Sequence, residues 1–421
     1  MFWIPGLYMA DALPYVVLSL ICVIMYKRLG IQNSDITFYT SLFYLPLILE
    51  PLFFPVLRMA RGSRGGLLFI QASICLLLFI ISLTVTHENF FITTLVLLGG
   101  ISCLAVLHSI SSNNYYKMSV LPVLLPVLLR LRTVSYRIVM IVSQGMLIMF
   151  AGIMEVHTRN VPYAWSIALM AFACFFSLIT IFHFFFLPKL HRPSSSIPTK
   201  IVWHESLMSF KWFFTQKHIL AILGFLLFFR MPEAFLVKIG PLFMLDSSLN
   251  GGANLSIQEI GLILGTIAPL GVFAGFGLGN TIIEKYALKR CFIPLTICFF
   301  LQLIVYWAIC EFHVVTMRWI APGVFLGEVC KGMGLALFFR FFHCCICERH
   351  KVMSAAICMS VMALGLCFCS ILSGELQNLF GYVKYFRFIL LLGVLPMLLS
   401  WYILTNDELL LDVERTPNSF K

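Results

Sequence analysis

Leu67-Leu68-Phe69-Ile70-Gln71-Ala72-Ser73-Ile74-Cys75-Leu76-Leu77-Leu78-Phe79-Ile80-Ile81-Ser82-Leu83 carries no charged residue and no polar–apolar alternation. A membrane-barrel strand would alternate over about ten residues. A helix needs roughly twenty apolar residues to cross a hydrocarbon core of about 30 Å. This stretch therefore reads as a membrane helix, and the segment from Phe388 to Leu404 reads the same way. Working outward, the same rhythm predicts twelve helices over 2–26, 36–57, 67–86, 91–118, 132–154, 163–186, 218–244, 257–283, 291–310, 317–342, 352–373 and 385–404. The 421-residue chain is 61% hydrophobic and only 11% charged. Soluble domains run near 45–50% and 25%. Its mean hydropathy is +0.97. With no water in the bilayer core, the backbone must bond internally. The expectation is an all-α polytopic membrane protein, twelve transmembrane helices in two six-helix halves.

The formal net charge of +11 does not point to nucleic acid, because of where the bases fall. Arg58, Arg61 and Arg64 share one short loop, Arg130 and Arg132 another, and Lys285, Lys289 and Arg290 a third. Lys189, Arg192, Lys200, Lys211 and Lys217 occupy the central loop, and the intervening loops hold fewer. Basic residues concentrated in alternate loops mark the cytoplasmic side, and this count puts both termini there. The first segment lacks the basic n-region and small-residue cleavage site of a signal peptide, so it is expected to be retained as a helix. The 14 cysteines fall within predicted helices or on the cytoplasmic side, which argues against a disulfide framework. His343-Cys344-Cys345-Ile346-Cys347-Glu348-Arg349-His350 is dense in metal-ligand types, but paired CxxC spacings are missing. Small-residue packing at a helix end explains it more simply. No metal and no cofactor are expected.

His191-Arg192-Pro193-Ser194-Ser195-Ser196-Ile197-Pro198 is the one clear linker, followed by an amphipathic run from Val202 to Phe214 suited to the cytoplasmic interface. The expected division is 1–186, an N-terminal six-helix bundle; 187–217, a cytoplasmic linker; and 218–421, a C-terminal six-helix bundle with a short tail. The halves repeat in outline. Ser34-Asp35 opens the second predicted helix and Ser256-Ile257-Gln258-Glu259 the eighth, where Ser256 and Glu259 have capping-box spacing. Both helices run into short basic loops. Two such halves around a midplane site are the plan of major facilitator transporters.

A charge near the bilayer centre costs at least ~2.5–3.5 kcal/mol and so needs a partner, a cavity or a function. Asp11 lies in the first predicted helix, one turn before Pro14 and Tyr15. Its acid reads equally as a functional group or as a hydrogen-bonded structural one. Glu50 lies near the cytoplasmic surface, within reach of Arg58 or Arg61. The seventh helix carries Arg230, Pro232, Glu233 and Lys238, and the tenth Glu328 and Lys331 among three glycines. Arg230–Glu233 and Glu328–Lys331 are both i, i+3 pairs able to meet on one face. The fourth helix ends in His108-Ser109-Ile110-Ser111-Ser112-Asn113-Asn114, and the fifth holds Tyr136, Arg137 and Gln144. Both charge signs together with hydroxyls and amides suit a zwitterionic or anionic hydrophilic solute. Asp11, Glu233 and Glu328 are the candidate proton carriers. Tyr15, His108, Asn113, Tyr136, Arg137, Gln144, Arg230, Lys238 and Lys331 are the candidate solute contacts.

Several runs resemble the AmpG-like muropeptide permeases, particularly Bacteroidetes-type members. They include Asp11-Ala12-Leu13-Pro14-Tyr15, Tyr136-Arg137 with Gln144-Gly145, and Pro162-Tyr163-Ala164-Trp165-Ser166. Glu233-Ala234 with Leu236-Val237-Lys238, Glu259-Ile260-Gly261-Leu262 and Met362-Ala363-Leu364-Gly365 continue the likeness in matching order. The resemblance implies a major facilitator fold in the bacterial inner membrane and proton-coupled import of anhydro-muropeptides. Two positions depart from that pattern. The run after His108 has no acid, and Arg58 stands where an acid is expected.

The leading expectation is thus a proton-coupled permease for cell-wall turnover fragments, a monomer in the lipid bilayer whose partners are a small-molecule solute of the amino-sugar peptide class and protons. The alternatives are a carrier of the same fold for another hydrophilic anion or peptide, and a non-transporting scaffold or sensor. An enzyme is not expected, since the sequence has no Gly-rich phosphate loop and no nucleophile elbow.

Overall fold

The computed structural model describes residues 3–53, 63–119, 125–189, 199–346 and 351–406. Those residues form α1 (Trp3–Arg28), α2 (Asn33–Phe53), α3 (Arg64–Thr84), α4 (Phe90–Ser119), α5 (Leu125–Thr158), α6 (Val161–Phe186), α7 (Ile219–Leu245), α8 (Ile257–Tyr286), α9 (Leu288–Glu311) and α10 (Met317–Cys344). A final apolar segment, Val352–Thr405, is broken at Gly381, whose φ is 68°, into α11 (351–380) and α12 (382–405). Eleven segments long enough to span a membrane therefore supply twelve crossings among the described residues. A separate helix, Thr199–Phe213, lies in the connection between α6 and α7 and packs on the segment Lys351–Leu392.

Local chemistry sets the helix ends. Ser63 accepts from the Gly66 amide and caps α3. Ser256 and Glu259 form the full capping box at the start of α8, as their spacing predicts. Asp35 sits in the first turn of α2, where the helix dipole favours an acid.

Two boundaries among the described residues differ from the expectation by more than four residues. α5 begins at Leu125 rather than 132, because Pro126 falls in the first turn, where its missing N–H costs no hydrogen bond. α11 runs past 373 to 380. Gly374 is a contact point with α2, not a stop: a Cβ there would lie 2.1 Å from Thr37 Oγ1.

Large apolar side chains such as Phe69, Ile92, Phe185, Trp319 and Leu391 are more than two-thirds exposed. Such a surface, intolerable in water, is a lipid-facing belt. Inside, helix approach depends on small residues, since lipid gives apolar side chains no incentive to leave it. Within the second half, α8 meets α10 at Gly275, where a Cβ would sit 1.9 Å from the Val329 carbonyl oxygen. Between the halves, α5 meets α8 where Gly265 lies against Gly145, and α2 meets α11. Two π-helical turns interrupt the bundle, Val17–Ile21 in α1 and Ile263–Ile267 in α8. α7 breaks at Phe229–Arg230, just ahead of Pro232.

Candidate functional site

A cavity of about 590 Å³ lies between the two halves. Both π turns reach it, bringing Ser19 and Leu20 from α1 and Leu264 from α8 to its wall. Single π turns recur at functional sites because they re-aim side chains without ending the helix. The cavity is two-faced. Met140, Ile141, Leu264, Pro269 and Val272 give an apolar side on α5 and α8, while Glu233, Gln302, Tyr306, Glu328 and Lys331 give a polar side on α7, α9 and α10. Gln144 adds an amide from the first half.

The polar side is organised by charge. Arg230 Nε donates to Glu233 Oε2 at 2.6 Å. Lys331 Nζ lies 3.9 Å from Glu233 Oε1 and pairs closely with Glu328. The two i, i+3 pairs expected from sequence both form, and the structure joins them across α7 and α10 into one row of two acids and two bases. Glu233 and Glu328 are buried, at 4% and 5% exposed, while the side chains of Arg230 and Lys331 are 17% and 15% exposed. The local reason lies in α7. Its break leaves Glu233 in the first turn of the restarted helix, where unsatisfied N–H groups favour a carboxylate. Lys238 is fully buried on another face of α7, with its ammonium 5.9 Å from the Tyr44 ring centre.

Asp11 and His108 are not at this cavity. They form a second polar cluster wholly within the first half. His108 Nδ1 lies 2.5 Å from Asp11 Oδ1, and Ser112 Oγ donates to Asp11 Oδ2 at 2.8 Å. The Gln71 amide donates to His108 Nε2 at 2.9 Å, and His183 Nδ1 donates to Gln71 Oε1 at 3.0 Å. Four helices, α1, α4, α3 and α6, are thus tied by one buried chain. Asp11, expected as a proton carrier, and His108, expected as a solute contact, direct their hydrogen-bonding capacity to each other and to Ser112 and Gln71. Tyr15 and Asn113 belong to the same two helices and do not line the cavity. The side chains of Tyr136 and Arg137, the Arg58–Arg61 loop expected to pair with Glu50, and Cys347–His350 lie outside the described residues. Among the described residues no group of three His, Cys, Asp or Glu side chains is placed to hold a metal.

Sequence reasoning missed Ser19, Gln302 and Tyr306 at the cavity and Gln71 and His183 in the first half. Their only signal was a lone polar residue in an apolar run, as with Gln71 in the opening stretch.

No family model and no curated protein matches the chain. Solved structures do. A bacterial homolog to the human lysosomal transporter Spinster, in an inward-facing and occupied conformation, superposes with a TM-score of 0.73 at 11% identity, covering 99% of this chain and 98% of that one. A POT family transporter in complex with a thioalcohol conjugated peptide gives 0.70 at 12% identity, covering 96% and 95%. The nucleoside transporter NupG gives 0.65 at 14% identity, covering 96% and 98%. The likeness extends over nearly the full length of all three and concerns the fold. The chain is a multi-pass membrane protein with the twelve-helix, two-half architecture of the major facilitator transporters.

Proposed function

We propose that this protein is a secondary transporter that imports cell-wall turnover products, anhydro-muropeptides or related amino-sugar peptides, together with protons. It works in the bacterial inner membrane with both termini in the cytoplasm. The observation that carries this reading is the row Arg230–Glu233–Lys331–Glu328, of which Glu233, Lys331 and Glu328 line one side of a cavity between two helix bundles. A buried ion pair contributes little net stability, so three ionisable groups lining a void, Glu233, Glu328 and Lys331, with Arg230 paired behind Glu233, are better explained by a ligand. Lys331 is the pivot, because it serves both carboxylates. Protonating either acid releases its ammonium toward a solute carboxylate, and Gln144 and Tyr306 supply bonds for amide and sugar groups. The apolar side on α5 and α8 accepts methyl and acyl groups. Asp11, in its own buried cluster, is a third proton site, acting through α1 and not through solute contact.

Binding tests this directly. Calorimetric titration of purified protein with anhydro-muropeptide should give saturable binding, weakened at least roughly tenfold in Lys331→Met, about 1.4 kcal/mol. Equal binding by that variant would remove the cavity assignment.

A second reading is a carrier of the same fold for a different hydrophilic anion or peptide. It is favoured by the acid-free run Ser109–Asn114 in α4. Displacement of a weakly bound muropeptide by an unrelated dipeptide would select it.

A further inference from the structure

On the lipid-facing side of the second half, α9 and α12 run antiparallel with a groove of about 240 Å³ between them. Its walls are Ile293 and Ile297 from α9 and Val394, Leu398 and Trp401 from α12, with Thr296 at the floor. Two contacts fix the direction. Thr296 Oγ1 bonds Ser400 Oγ at 3.2 Å, and a Cβ on Gly393 would lie 3.6 Å from the Phe300 ring. The residue pattern explains the hollow. Thr296 and Ser400 are small, buried and bonded to each other, whereas Ile297, Val394, Leu398 and Trp401 are larger and exposed. On each helix the larger side chains recur three or four residues apart and form a ridge. Two ridges over a seam of small residues leave a trough that no side chain fills among the described residues.

The ridge on α9 continues into charge. Arg290 precedes Ile293 by three residues and Lys289 precedes it by four, so both lie on the same face, one turn beyond the groove. Both are exposed, and Arg290 makes no ion pair or hydrogen bond among the described residues. The turn from Glu284 to Arg290 holds three bases and one acid, so positive charge remains there uncompensated. Trp401 lies at the same end of the groove, because α12 runs back toward it. Exposed tryptophans sit at headgroup level in a bilayer. From Trp401 to Val394 the groove then descends about 10 Å toward the hydrocarbon.

We propose that the α9–α12 groove binds one anionic phospholipid, with its phosphate on Arg290 and Lys289 and one acyl chain along Ile293, Ile297, Val394 and Leu398. Charge and shape divide the recognition. A guanidinium takes a phosphate through a fork of two parallel hydrogen bonds, and the paired cations favour a headgroup of net negative charge. The trough suits an acyl chain, since the hydroxyls at its floor are bonded within the protein. A zwitterionic lipid satisfies the shape and not the charge. A free phosphate satisfies the charge and not the shape. The groove shares no residue with the central cavity, and its occupancy does not depend on what the protein carries.

Native mass spectrometry of the full chain in detergent tests this, with added phosphatidylglycerol, phosphatidylcholine or glycerol 1-phosphate. The native chain should retain one phosphatidylglycerol, at least roughly tenfold above phosphatidylcholine at equal concentration, and no glycerol 1-phosphate. Lys289→Gln with Arg290→Gln should bring phosphatidylglycerol down to the phosphatidylcholine level. Lys211→Gln with Lys217→Gln removes the same charge from exposed positions elsewhere and should change nothing. Ile297→Trp fills the trough and leaves both cations in place, and it should lower phosphatidylglycerol retention by a similar factor. Four results overturn the proposal: equal retention of the two lipids by the native chain, equal loss in both charge-removed chains, full retention by Ile297→Trp, or retention of glycerol 1-phosphate on a par with the lipid. Should the Lys289 and Arg290 variant aggregate, photolabelling of the native chain decides. Phosphatidylglycerol with a diazirine in its acyl chain should label residues 290–301 and 394–405, and labelling confined to other helices is equally fatal.

Discussion

Glu233 is the residue on which the site turns. It accepts from Arg230 and faces Lys331, so it holds α7 and α10 to one side of the cavity. Glu233→Gln retains an acceptor for Arg230 and loses the charge. Uptake should fall to background while the protein stays monodisperse, as read by size-exclusion chromatography beside a flux assay. Normal flux would remove Glu233 from the mechanism.

Gln71 tests the other cluster. Its amide links His108 to His183 in the chain of bonds, and Gln71→Leu would take that partner from both rings. An unsatisfied buried group costs about 1–3 kcal/mol. The thermal midpoint should drop clearly, while anhydro-muropeptide affinity at saturating proton concentration should hold within roughly threefold, well under the tenfold that 1.4 kcal/mol represents. A large affinity loss in a stable variant would place this cluster in the solute site. The i, i+3 pairs were readable from spacing alone, because a helix fixes which side chains share a face. The Asp11–His108–Gln71–His183 chain was not, because it joins four helices whose rotations no local pattern encodes.

The close approaches decide how the helices sit. Gly265 in the π turn of α8 faces Gly145 of α5, and a Cβ on Gly265 would lie 2.4 Å from the Gly145 Cα. Gly265→Val must therefore push the halves apart or strain both helices, at about 1–3 kcal/mol for an overpacked contact. Gly277, also in α8, meets nothing within 4 Å. Gly277→Ala should leave stability unchanged or raise it by about 0.5–1 kcal/mol, since alanine is the better helix former. Thermal unfolding of the two variants side by side checks the packing; similar destabilisation by both would contradict it.

Helix existence was plain in the sequence because lipid demands long apolar runs. The ends of α5 and α11 were less plain. Pro126 and Gly374 look like breakers but sit where a proline is harmless and where a glycine serves close approach. The capping box at Ser256 was legible because its chemistry is confined to four residues.

At the scale of the whole molecule, two bundles enclose a cavity with a charged side and an apolar side, and are held at one end by the α1–α2 and α7–α8 turns. The sequence conveyed the two-half plan through its charge rhythm and central linker. It could not convey that Lys27 meets Asp246, since the two are far apart in sequence and each resembles an ordinary loop charge. The likeness to solved transporters concerns the same two-half architecture. The most direct measurement is accumulation of labelled anhydro-muropeptide in proteoliposomes, with and without an inward proton gradient, for the native chain and for Glu233→Gln. The account predicts gradient-driven accumulation above equilibrium by the native protein and none by the variant. Absence of uptake by folded native protein, or accumulation equal in both chains, would contradict it.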